Sequence, residues 1–314
     1  MRVFRPASLL RVPAAPDNAV ARTFRRVVSG DPEGRPPWVR ALEEGDDAGL
    51  FGPDSAPWAV HGNLATLVGG IRALLLQALH PGAVAGVRNH SRYREDALDR
   101  LAGTTRWLVT LTFGDTAAIE RESARVRGMH GRVRGTYLPA GSEDGEHTYS
   151  ANDPHLLRWV HLAFTDSFLT AHQVWGGPIP GGADAYVAAW AQSAVPLGLA
   201  DPPRSAADLA TQLRSYDAEL DGGADAREVV RFIMNPPLPI AARPAYAVLA
   251  AGAVSTLDPH HRELLGLPAV PAALSQAATR VLLGGMRWAV GDQSPSEQAA
   301  RTRLARLAVE SHES

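Results

Sequence analysis

The 314-residue chain contains no cysteine, and all 31 of its basic residues are arginine, so lysine is absent as well. Without Cys there is no thiolate nucleophile, no Cys-ligated zinc or haem, no cysteinyl iron–sulfur cluster and no disulfide. Without Lys there is no Schiff base to pyridoxal phosphate and no Walker A lysine. A GC-rich coding bias accounts for the missing lysine, and the exclusions hold whatever its cause. Long apolar runs are also scarce. The longest, Leu64 to Leu79, is interrupted by Arg72 and closed by His80 and Pro81, too short and too charged to span a bilayer, so it reads as a buried helix. The first 16 residues, MRVFRPASLLRVPAAP, lack the uninterrupted apolar core of a signal peptide, and a cytoplasmic protein is expected. Neither sign of charge dominates: the formal net charge is -2, which gives no global footprint for nucleic acid or an anionic membrane.

What the chain does have is 45% hydrophobic residues, enough for a substantial core. Helical periodicity punctuated by Pro and Gly prevails over β-branched alternation, which predicts an all-α fold of about ten or more helices. Asp153-Pro154 opens a helix through about Trp175, Ser294-Pro295 opens a C-terminal one, and Ser205 with Asp208 resembles a capping box. Stops fall at Pro81, at Gly176-Gly177 and in NPPLP, residues 235–239. Between Gly135 and Asp153 a Gly-rich polar middle with β-prone ends predicts a short hairpin near 136–149. No repeat or long linker divides the chain. The expectation is an N-terminal arm, 1–16, followed by a single helical domain, 17–314.

Eleven histidines invite a metal reading. There is no HExxH, no ExxH pair of the di-iron type, no GxSxG elbow and no GxGxxG after a predicted strand. His161 and His172 share a helix face but stand roughly 16 Å apart, too far to share an ion. His260 and His261 read as exposed, and His80 and His90 as organisers of a helical break. The stretch RVRGMHGRVRG, residues 125–135, differs. Ile119, Val126, His130 and Val133 fall on one helical face, while Arg121, Arg125, Arg127, Arg132 and Arg134 mostly point elsewhere. His130 thus lies on an apolar stripe. That position suits a satisfied core histidine or a ligand, and Gly128 and Gly131 suit a frayed helix end or room for a flat group against the backbone. In a second helix, residues 95–113, Arg100, Thr104, Trp107 and Leu111 share a face at i, i+4, i+7 and i+11. An arginine at the edge, a hydroxyl and an apolar wall would suit a planar cofactor with carboxylate tails; a snorkelling Arg and an ordinary helix-face Thr are the plain alternative.

Several motifs in order resemble the MpaB/rubber-oxygenase, or latex-clearing-protein-like, family: LLLQALHPGAVAGVRNHS at 74–91, RLAGT at 100–104, HGRVRG at 130–135 and YSANDPHLLRWVH at 149–161. LFGPDSAPWAVHGN at 50–63 and NPPLP look similar too, and the likeness covers roughly residues 45–270. The resemblance implies a mostly helical domain around a buried haem b. The family's proximal ligand, the His of HxxVxG, lands on His130, and its distal Arg and Thr land on Arg100 and Thr104. Trp107, Leu111 and Gly131 are then further cofactor-pocket candidates. Rubber-cleaving members carry a lysine just before the threonine; here that position is Gly103. The resemblance therefore implies a haem b-dependent oxygenase or oxidase acting with O2 on a small, largely apolar or natural-product-like substrate rather than on polyisoprene. A non-catalytic haem or O2 sensor or carrier, or a cofactor-free helical binding protein, are the rival classes.

Overall fold

A computed structural model describes residues 18–90, 97–138 and 145–313, leaving outside it the side chains of 20, 27, 28, 97–102 and 313. The expected arm 1–16 therefore lies outside the described residues. Fifteen α-helices, four short 3-10 helices and one two-stranded hairpin make up the described secondary structure, which is the expected all-α fold with a short hairpin. In chain order the helices are α1 (Ala19–Ser29), α2 (Pro37–Arg40), α3 (Ala56–His61), α4 (Thr66–Gln77), α5 (Pro81–His90), α6 (Ala97–Phe113), α7 (Thr116–His130) and α8 (Pro154–Trp175). They continue as α9 (Gly182–Trp190), α10 (Ala206–Arg214), α11 (Ala224–Met234), α12 (Arg243–Ser255), α13 (Pro259–Leu264), α14 (Ala272–Val290) and α15 (Pro295–Glu313).

Local chemistry explains where these helices start. Side chains of Asn18, Ser55, Asp115, Asp153, Ser205 and Asp258 each accept a hydrogen bond from a first-turn N–H, satisfying donors that have no partner within the helix. Asp153 followed by Pro154 starts α8, and Trp175 ends it, as the sequence predicts. Asp208 departs slightly from a capping box: its carboxylate accepts from the N–H of Arg204, one residue before the cap.

The core centres on α8, whose buried side chains occur all round its circumference. Helix α4 packs along it. A Cβ on Gly69 would stand 2.7 Å from the Phe168 ring and 3.2 Å from the Ser167 carbonyl oxygen, so only glycine permits this approach. Arg72, the odd charge inside the longest apolar run, is buried here; it donates to the Asp166 carboxylate at 2.5 Å and to Ser167 Oγ at 2.9 Å. After Gln77 the chain turns sharply, and α4 and α5 are bent 103° from one another. No single helix among the described residues is long and apolar enough to cross a membrane, although the bent α4–α5 pair passes by length and composition together.

The hairpin pairs β1 (Arg134–Tyr137) antiparallel with β2 (His147–Ser150), Gly135 opposite Tyr149. It begins two residues earlier than the alternation suggested, because Val133 and Ala151 close it with a further backbone bond. Buried Tyr149 packs with Ala85 and Leu156, and Val133 and Tyr137 rest on that group. The hairpin is thereby fastened to α5 and the start of α8.

Candidate functional site

Helices α6 and α7 fold back on one another across the Gly114-Asp115 turn, with Asp115 capping α7. Their mutual position is set by Glu122. Its carboxylate is 3% exposed and meets Arg106 of α6 at 2.9 Å and Arg125 of its own helix at 2.6 Å. Leaving a buried carboxylate unpaired would be costly, so these arginines are structural. Arg125 lies on the exposed face, as its spacing predicts, yet it reaches back to pair with this buried carboxylate. Ile119, Glu122, Ser123 and Val126 form the buried stripe of α7, and His130 continues it to the end of the helix. At a rise of 1.5 Å per residue, His130 lies roughly 12 Å further from the turn than Glu122.

Helix α8 completes the surroundings. Asn152, just before it, donates from Nδ2 to the Arg127 carbonyl at 3.2 Å, which places the beginning of α8 beside the end of α7. Higher up, Trp107 of α6 and Phe164 of α8 approach with ring centroids 6.4 Å apart. One turn before Phe164, and on the same helical face, stands His161. Trp107 and Phe164 thus meet between α6 and α8, with Thr104 one turn before Trp107 and His130 at the far end of α7. Leu111, fully buried, closes α6 toward the core. Arg100 lies in the first turns of α6, but its side chain is outside the described residues.

Buried Trp107 Nε1, His130 Nδ1 and His161 Nε2, one on each of these three helices, have no hydrogen-bond partner among the described residues, and each leaves room for a partner such as water or a bound group. Burial lowers the basicity of His130 and pulls His161 down to about 4, so both rings are neutral at pH 7 and offer a lone pair. Thr104 is partly buried. Gly131 ends α7 as its C-cap, its N–H donating to the Arg127 carbonyl, and Gly128 is exposed. A Cβ on Gly103 would meet nothing within 4 Å. Two neutral histidines and apolar side chains with scattered polar tips on these helices are compatible in chemistry with a mainly apolar bound group.

His161 and Glu122 escaped the sequence reading. His161 was judged only as a partner for His172, and Glu122 sits between Ile119 and Val126 on the apolar stripe, where its burial could have been inferred from spacing. A second buried group lies elsewhere: His61 faces Tyr186 Oη at 3.2 Å and stacks near Trp190, and His172 is close enough to lower its basicity further.

Residues 58–289 match a protein-family model described as "ER-bound oxygenase mpaB/B'/Rubber oxygenase, catalytic domain". No curated protein and no solved structure gives a match.

Proposed function

The chain belongs to the mpaB/rubber-oxygenase family, and on that premise we propose that it is a haem b-dependent oxygenase or oxidase with His130 as the axial iron ligand. One observation carries the reading: a half-buried imidazole at the end of α7, held neutral by burial, whose Nδ1 is enclosed and without a hydrogen-bond partner among the described residues. A neutral ring is the form that binds iron, and with no Cys in the chain the attachment is non-covalent. When bound, haem supplies one-electron and dioxygen chemistry that no side chain here provides.

The remaining roles belong to the chain. Trp107, Leu111 and Phe164 exclude water and present flat apolar surface. On the family likeness Arg100 and Thr104 would serve the cofactor's distal side or carboxylate tails, and Gly131 follows the ligand at the end of α7. The open space at Gly103, where rubber-cleaving relatives carry a lysine, admits a small apolar or natural-product-like substrate instead of a polyisoprene chain. Residues 17–314 act in this as one domain.

The test is expression under haem-replete conditions followed by absorption spectroscopy. A Soret band and a b-type pyridine haemochrome are expected, lost in His130→Ala and kept in His147→Ala, which alters only an exposed hairpin residue. Colourless wild-type protein, or equal haem in both variants, overturns the ligand. Oxygen uptake by the ferrous protein is then compared for terpenoid-sized compounds and polyisoprene. Uptake and labelled product are expected with the former alone, and turnover that persists without oxygen overturns the oxygenase or oxidase reading.

A further inference from the structure

A separate cluster joins the α4–α5 elbow, the start of α8 and the turn Asp217–Glu219: His80, His155 and Glu219 bring one potential ligand atom each to within 4.8 Å of one another. From the convergence of two imidazoles and a carboxylate, the structure assigns to these three residues a binding site for a divalent transition cation of the Zn2+ class. Two histidines and a carboxylate are a recurrent donor set for such ions, with the remaining coordination positions left to water.

The immediate surroundings favour this assignment. His80 is only 3% exposed at its side chain, and its Nε2, buried with no hydrogen-bond partner, points to Glu219 Oε2 3.5 Å away. His155 Nε2 lies 2.7 Å from the same oxygen. Tyr216 donates its hydroxyl proton to the His155 carbonyl at 2.9 Å, and its oxygen faces His155 Nδ1 at 3.4 Å. That arrangement favours the His155 proton on Nδ1 and leaves Nε2 with its lone pair toward the carboxylate. A cation must stand between them: either a proton or a metal ion. The Tyr216 ring also stacks on His155 at 4.5 Å and fixes its plane, the kind of outer contact that orients a metal-binding imidazole.

Binding asks for two adjustments. Ligand atoms around a tetrahedral ion with bonds of about 2.0–2.1 Å lie roughly 3.4 Å apart; the 3.5 Å between His80 and Glu219 already suits this, whereas the 2.7 Å between His155 and Glu219 must open, which these two side chains, each nearly half exposed, can do. His80 Nδ1 accepts from the Gly82 N–H at 3.2 Å. Coordination through Nε2 moves the ring proton to Nδ1 and gives up that one bond, which sets the affinity below that of a preformed site.

The experiment is calorimetric titration of ZnSO4 into the full-length protein after chelator treatment, with and without bound haem. One equivalent is expected to bind in both preparations and to raise Tm by about 4 °C at hundredfold excess over Kd. His155→Gln and Glu219→Gln, at side chains with exposed surface, should each weaken binding at least tenfold, whereas His260→Gln should not. No saturable uptake by wild type, or the same affinity in both ligand variants, overturns the site. Neither result bears on haem binding by His130, which is read from the Soret band.

Discussion

Replacing His61 by Gln tests how far burial controls this protein's response to acid. His61 is enclosed among Phe168, Tyr186 and Trp190, and desolvation, aided by neighbouring His172, pulls it from 6.5 to about 3. The folded protein keeps this ring neutral, while the unfolded chain protonates it as pH falls through 6.5. Because the unfolded state binds more protons, the stabilising effect is complete above 6.5 and is lost progressively down to the folded value. From these two values the loss between pH 7 and pH 5 is about 2 kcal/mol. His161, held at about 4, adds about 2 kcal/mol over the same interval by the same linkage. Urea unfolding of wild type and His61→Gln at pH 7 and pH 5 measures the difference directly. The variant loses some absolute stability at both pH values, since the Tyr186 contact changes, but its fall between them should be smaller by about 2 kcal/mol. Carboxylates and the histidines other than coupled His172 titrate alike in both proteins and cancel. Identical falls in the two proteins would refute the reasoning, because His61 would then be titrating as freely in the fold as out of it.

Two further outcomes concern the framework that carries the site. Arg303, wholly buried, donates to the carbonyls of Leu42, Asp47 and Phe113; Arg303→Met leaves these oxygens without their donor and should cost about 3 kcal/mol or more in chemical denaturation, and an unchanged midpoint would show that water replaces it freely. At Gly49, φ is 75° and a Cβ would stand 1.9 Å from the Gly114 carbonyl oxygen in the α6–α7 turn. Gly49→Ala should therefore destabilise by about 3 kcal/mol and reduce haem retention along with stability, whereas Gly52→Ala, with open space around it, should do neither.

Helix starts were legible in the sequence because their causes are local: a capping side chain and the N–H groups it serves are two or three residues apart, as at Asp153 and Ser205. The stripe Ile119, Val126, His130 was legible for the same reason, being one face of one helix, but Val133, read as its continuation, falls beyond the helix end, just before β1. The hairpin was read correctly but entered two residues late, since the bond between Ala151 and Val133 extends it and alternation alone does not show where pairing starts.

Sequence alone thus determined the all-α class, the absence of thiol and lysine chemistry, the family likeness through its ordered motifs, and the stripe on which His130 lies. Tertiary structure decided which polar groups meet. Arg72 reads as an interruption until Asp166, 94 residues on, reaches it; Glu122, on the apolar stripe of α7, gains its second partner only because Arg106 reaches it from α6. Trp107 of α6 meets Phe164, one turn beyond His161, only through packing, and His80 comes to His155 and Glu219 from an elbow where α4 and α5 are bent by 103°. Local periodicity records which way each side chain leaves its own helix, but the partner that satisfies or fails to satisfy it comes from a distant segment, and only packing brings that segment within bonding distance.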